Sequence, residues 1–273
     1  MQNPKIYAVI QRHPFHLVDS SPWPIIGSVS TLSCVLAAVM YFHHVRGGSI
    51  LLLLSFLLLA SVMFVWWQDV VQEATFGGYH TNLVQRGLRY GVILFILSEL
   101  MFFVAFFWAF FHSSLSPNIE IGSIWPPKGI NVLNPWGVPF LNTMILLLSG
   151  CTVTWAHHAM VWGDQKQVTY AMGLTILLAV IFTLYQILEY SDAEFRFSDG
   201  VYGSTFYIAT GFHGFHVIIG TTFLTVCLIR FLDYHFSVEH HFGFEAAAWY
   251  WHFVDVIWLF LFISVYWWGG LCN

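Results

Sequence analysis

Charge is what this sequence has least of. Of 273 residues, 9 are Lys or Arg and 14 are Asp or Glu, 8% together, against about a quarter in soluble domains. So sparse a set cannot cover the surface of a soluble protein of this size. Nine basic residues also leave no footprint for nucleic acid. The cysteines are few and scattered. Cys34, Cys151, Cys227 and Cys272 form no CxxC pair, which argues against a disulfide framework or a thiolate metal site. No P-loop, no GxGxxG and no recognisable Ser, Cys or Asp nucleophile constellation occurs. What is abundant is apolar: 58% of residues are hydrophobic and 19% aromatic, which excludes disorder. The composition is that of an integral membrane protein.

A hydrocarbon core of about 30 Å is crossed by roughly 20 helical residues with few charges. Gaps of that size separate Asp19 from Arg46, Arg46 from Asp69, Lys128 from Asp164, Lys166 from Glu189 and Asp199 from Arg230. Two further stretches are broken by a single acid each, Glu99 between Arg89 and Glu120 and Asp255 after Glu245. The spacing predicts seven transmembrane helices, near 23–43, 49–67, 89–112, 139–161, 168–189, 203–229 and 246–268. Runs this long lack the alternation of a barrel strand, so the fold class is all-α. No signal peptide is expected, because Lys5 and Arg12 are not followed by a separate short apolar region with a cleavage site.

With the N-terminus on side A, that side carries Lys5, Arg12, Arg86, Arg89, Lys166 and Arg230, and side B carries Arg46, Lys128 and Arg196. The positive-inside rule then puts the N-terminus inside and, after seven spans, the C-terminus outside. Two connections stand out. Residues 113–139 hold five of the nine prolines (Pro117, Pro126, Pro127, Pro135, Pro139) with Trp125 and Trp136, the make-up of an ordered surface loop. Residues 68–88, with Asp69, Glu73, His80 and Arg86, form a polar connection. They separate an N-terminal segment and hairpin (1–67) from a five-helix bundle (89–273).

In such a chain the informative residues are the ionisable ones inside spans, where each is expensive. Glu99 lies ten residues past Arg89, about 15 Å along a helix and near the bilayer midplane. A carboxyl there is either protonated or paired with a polar partner. It is a proton-relay group, or a neutral acid binding neighbouring helices together; the second is favoured. Glu245, His252 and Asp255, preceded by His241, form a stripe along one side of the last span. Such a stripe faces protein or trapped water, as a proton path or, more in keeping with the pattern, as a polar network anchoring the helix.

The 14 histidines invite a metal reading. A membrane haem or metal centre needs imidazoles converging from at least two helices at matching depth. His213 and His216 sit within the sixth span, His157 and His158 near the side A end of the fourth, and His112 at side B. Adjacent histidines point about 100° apart, and no ExxH di-iron pattern occurs. No metal site and no cofactor held by this chain are therefore expected. Lipid is the other candidate ligand. Trp66 and Trp67 close the second span at side A, where Arg86, Arg89 and Arg230 also lie, with Glu73 and His80 between. Basic residues beside indoles at headgroup level suit a phospholipid, or ordinary interfacial anchoring.

Several long segments carry a resemblance: SPWPIIGS (21–28), FVWWQDVVQEATFGGYHT (64–81), RYGVILFILSELMFFVAFFWAFFHSSL (89–115), IWPPKGI (124–130), TVTWAHHA (152–159), SDGVYGSTFYIATGFHGFHVIIGTTF (198–223) and HHFGFEAAAWYWHFVDVIWLF (240–260). Along nearly its whole length the chain resembles subunit III of the mitochondrial and α-proteobacterial cytochrome c oxidases. The resemblance implies a seven-helix protein whose first two helices splay from the other five around a cleft filled with phospholipid. It also implies that this subunit holds no redox centre. Haem a and copper would belong to subunits I and II, which with accessory subunits take electrons from cytochrome c, reduce oxygen to water and pump protons. This chain would stabilise subunit I and keep its proton uptake fast. Glu99 matches the family's buried carboxylate. Trp66, Trp67, Glu73, His80, His216 and Arg230 match its lipid-associated positions. The implied location is the mitochondrial inner membrane with the N-terminus in the matrix. The alternative is a stand-alone proton-coupled transporter or channel using Glu99 and Asp255, although no proline lies inside spans two to seven past Pro139 at the very start of the fourth, and no internal repeat is evident.

Overall fold

A computed structural model describes residues 13–271 and, among them, seven helices long and apolar enough to cross a membrane, with no strand. They are α1 (Trp23–Phe42), α2 (Gly48–Thr75), α3 (Asn82–Leu115), α4 (Val138–Trp162), α5 (Gln165–Asp192), α6 (Val201–Leu232) and α7 (Phe242–Leu261), the last running on as a π-helical segment through Trp268. Lys5, Arg12 and Cys272 lie outside the described residues. Local chemistry sets several ends. Pro24 and Pro139 sit in the first turns of α1 and α4, where a missing N–H costs nothing. Gly163, in the left-handed region at φ 78°, ends α4. Asp164 then caps α5 by accepting from the N–H groups of Lys166 and Gln167.

All seven expected spans are present, and the structure lengthens most of them. α2 continues to Thr75 and α3 begins at Asn82, so the connection drawn at 68–88 shortens to residues 76–81. Charged residues end a hydrocarbon span without ending a helix, because at headgroup level an α-helix tolerates them.

The chain divides into two compact units, Met1–Leu88 and Arg89–Asn273, with the boundary inside α3. In the first, α1 packs on α2, and the Trp23 indole donates to Asp69 across that pair. In the second, α7 is the most enclosed helix: 67% of its apolar window is buried against 6% for α3. α4 and α6 flank α7, and α5 packs on both α4 and α6. Small residues allow the close approach. A Cβ on Gly220 of α6 would stand 2.9 Å from the Trp251 ring, and one on Gly150 of α4 would stand 2.8 Å from Asp255 Oδ2. Indoles of α7 then bond across the gap, Trp251 Nε1 to Ser149 Oγ at 2.9 Å and Trp258 Nε1 to Thr143 Oγ1 at 3.0 Å. The proline-rich loop is ordered as its composition implies. Trp125 is buried against Phe110 of α3 and Tyr202 of α6.

Candidate functional site

Within the second unit, Glu99 of α3 meets His216 of α6, with Oε2 2.9 Å from Nε2. The other ring nitrogen, Nδ1, lies 2.6 Å from the backbone carbonyl oxygen of Phe212. A carbonyl oxygen only accepts, so Nδ1 carries a proton. The Glu99–His216 contact therefore holds one proton between carboxyl and imidazole, either as a neutral acid–imidazole pair or as carboxylate and imidazolium. Aromatic rings close around it: Phe103 edge-on to the imidazole, Tyr250 stacked beside it, and Phe253 edge-on from α7. Of the two sequence options for this carboxyl, protonated alone or paired, the geometry supplies a partner.

The acid–histidine stripe of α7 meets different neighbours along its length. Glu245 binds Arg89 of α3 through two hydrogen bonds, Nε to Oε2 at 2.9 Å and Nη2 to Oε1 at 3.2 Å. His252 lies 3.3 Å from Thr154 Oγ1 of α4. Asp255 lies beside Gly150 of α4, its Oδ1 buried with no hydrogen-bond partner among the described residues.

One buried acid escapes the sequence reading. Glu189, at 3% exposure, accepts from Tyr266 Oη at 2.6 Å and from Gln186 Nε2 at 3.1 Å. Counting it as the edge of the fifth span hides it. Its one local signal is Gln186, a second polar residue one turn earlier.

The positions that the resemblance links to lipid fall in both units. In the first, Trp67 is 63% exposed and Trp66 39%, as indoles at a membrane interface are. Glu73 Oε2 lies 3.8 Å from His16 Nε2, and His16 stacks on Tyr79 and stands edge-on to His80. His16, Glu73 and His80 bring one ligand-type atom each within 4.8 Å of one another. In the second unit, Arg230 ends α6, where a cation complements the helix dipole. Its guanidinium lies over the Phe236 ring at 4.4 Å and packs against Gly243 of α7. Its Nε is buried without a hydrogen-bond partner, and no carboxylate among the described residues pairs with it. His213, deep in α6, meets the Val254 carbonyl of α7 at 3.1 Å, an interhelical bond of the kind expected of a buried core histidine.

Seven helices long and apolar enough to cross a membrane, packed around buried acids and histidines, define a multi-pass helical membrane protein. The sequence profile of the family described as "Cytochrome c oxidase subunit III" matches residues 13–270. The chain is 66% identical to the "Cytochrome c oxidase subunit 3" of Chondrus crispus over 261 residues, 96% of both chains. It is 63% identical to that of Marchantia polymorpha over 263 residues, 96% of this chain and 99% of the relative. To that of Arabidopsis thaliana it is also 63% identical, over 96% of this chain and 98% of the relative. The chain belongs to the cytochrome c oxidase subunit III family. It is accordingly a subunit of a respiratory oxidoreductase and works within that complex, whose cofactors sit in other subunits. Membership displaces the stand-alone transporter.

Proposed function

We propose that this chain is the lipid-holding, non-redox core subunit of its oxidase, and that it stabilises subunit I and supports proton uptake into it. Its partners in this reading are subunits I and II, which carry haem a and copper, accessory subunits, phospholipid, and cytochrome c through the complex. Its place is the mitochondrial inner membrane with the N-terminus in the matrix. The six-to-three distribution of Lys and Arg supports that orientation.

The observation that carries the lipid reading is Arg230. A guanidinium half-buried in the last turn of a membrane helix, stacked on Phe236 and with no carboxylate among the described residues paired to it, keeps its charge and offers a planar fork to phosphate. In the other unit, the exposed Trp66 and Trp67 present an interfacial surface of their own. Glu73 and His80 line the same end of α2. Lipid held at either set of positions acts as a fixed part of the protein–membrane boundary. It shields apolar side chains that would otherwise face exchanging lipid.

For proton uptake the support is the Glu99–His216 pair, near the midplane and enclosed by aromatic rings. A single proton shared between two basic sites there moves from one atom to the other without a change in net charge. That property suits a group that tunes the field near a neighbouring proton path rather than one that conducts.

The test is the phospholipid retained by the purified oxidase. Arg230→Ala combined with Trp67→Ala lowers the phosphorus content per complex and the amount of lipid seen by mass spectrometry. Unchanged lipid content refutes the assignment.

A further inference from the structure

We propose that His157, His241 and Glu245 form a binding site for a divalent cation of the Zn2+ type at the junction of α4 and α7. The sequence reading expects no metal because His157 and His158 diverge and other histidines lie at other depths. The fold pairs His157 with a partner from elsewhere in the chain. His157 stands near the end of α4, His241 caps the start of α7, and Glu245 lies in its first turn. One ligand atom from each lies within 4.8 Å of the other two. His241 Nε2 is 3.6 Å from Glu245 Oε1, beyond hydrogen-bond range. The rings of His157 and His241 lie 5.6 Å apart at 66°, edge to face.

Two imidazoles and one carboxylate form a donor set of catalytic and exchangeable zinc sites, leaving a fourth position open. Calcium and magnesium want oxygen alone, so the nitrogen donors set the preference. The outer contacts prepare the ligands. His241 Nδ1 lies 3.0 Å from the Ser237 carbonyl oxygen. Since that oxygen only accepts, the proton sits on Nδ1 and Nε2 turns its lone pair toward Glu245. Arg89 donates to both Glu245 oxygens, Oε1 among them, and so fixes the orientation of the carboxylate that His241 faces. Zinc bonds of about 2.0–2.2 Å put tetrahedral donors about 3.3–3.6 Å apart; His241 and Glu245 already stand 3.6 Å apart, and His157 draws in from within 4.8 Å. The positive charge of Arg89 opposes a cation, so the site takes an exchangeable ion rather than a permanent structural one. Access fits that reading. His241 is buried, while His157 and Glu245 are half-buried, and all three stand at the ends of their helices. Occupancy would fasten the end of α4 to the start of α7, separately from the lipid positions and from Glu99.

The experiment uses the intact oxidase containing this chain, cleared of loosely bound metal with a chelator and dialysed against radiolabelled Zn2+. His157→Gln and His241→Gln are each expected to bind one Zn2+ fewer per complex than the unsubstituted enzyme. His158→Gln, altering the exposed neighbour, is expected to bind the full number. Equal stoichiometry in all of them overturns the proposal. Should a substitution block assembly, the unsubstituted complex decides through labelling of histidines with diethyl pyrocarbonate, read by peptide mass spectrometry. Zn2+ is expected to lower labelling of His157 several-fold and leave His158 unchanged. Equal labelling of His157 with and without Zn2+ overturns the proposal.

Discussion

Replacing Glu99 with Gln and with Ala separates two ways the Glu99–His216 contact contributes to the bundle. The contact is 2.9 Å long, between a Glu99 side chain 26% exposed and a His216 side chain 6% exposed. His216 Nδ1 is already committed to Phe212 O, so Nε2 depends on residue 99. A Gln there still donates a hydrogen bond to a neutral Nε2. The cost of Glu99→Gln is therefore small, below about 0.5 kcal/mol. An Ala leaves Nε2 unsatisfied among Phe103, Tyr250 and Phe253. Orphaning a buried acceptor costs about 1–3 kcal/mol, whereas interhelical hydrogen bonds in membrane proteins couple by about 0.6 kcal/mol on average and up to about 1.7. The expected result is a Glu99→Ala loss of about 1–3 kcal/mol. Its coupling to His216→Ala in a double-mutant cycle should be about 0.6–1.7 kcal/mol, measured by titration into sodium dodecyl sulfate micelles. The assembled oxidase should keep its haem spectrum with Glu99→Gln. A Gln variant as damaged as the Ala variant, or a coupling within the roughly 0.3 kcal/mol expected of independent sites, would refute the shared-proton geometry. Loss of the whole complex on Glu99→Gln would make Glu99 an assembly residue instead.

Two further substitutions probe the bundle. A Cβ on Gly203 would stand 2.1 Å from the Arg196 carbonyl oxygen, a backbone atom with little room to yield; Gly203→Ala should cost at least the roughly 1–3 kcal/mol of an overpacked site, seen as a lower thermal midpoint in detergent. Tyr266→Phe removes the 2.6 Å donor to Glu189 and should cost about 1–3 kcal/mol, with Glu189→Gln in the same background recovering part of it; equal stability of Tyr266→Phe and the parent would mean that Glu189 does not depend on Tyr266.

The spans were legible because charge was so scarce that its gaps measured the membrane. The helix ends were less so, for the same reason. Asp69 and Glu189 served as edges, and Glu73 and Arg86 as members of a connection, yet each lies within a helix. Composition distinguishes hydrocarbon from headgroup, not helix from loop. Glu99 was visible by itself as an acid at mid-depth, but its partner is 117 positions away and no local spacing announces it. The stripe of α7 was visible as a periodicity. That Glu245 turns to α3 and His252 to α4 depends on how the bundle closes. Convergence of His157 with His241 was hidden because one lies in α4 and the other caps α7, far apart in sequence, and no local spacing joins them. Trp66 and Arg230 were singled out by residue type at the membrane surface. That no carboxylate among the described residues pairs with Arg230 became apparent only once its neighbours were in place.

The central claim is that this chain serves the oxidase without holding its redox centres. A reduced-minus-oxidised optical spectrum, taken on the complex purified through a tag on this chain and again after the chain is stripped off with detergent, tests it most directly. The account predicts a haem a signal that stays with the partner subunits at the same intensity per complex, and a stripped chain that is colourless and carries phospholipid. A haem signal travelling with the stripped chain would contradict it.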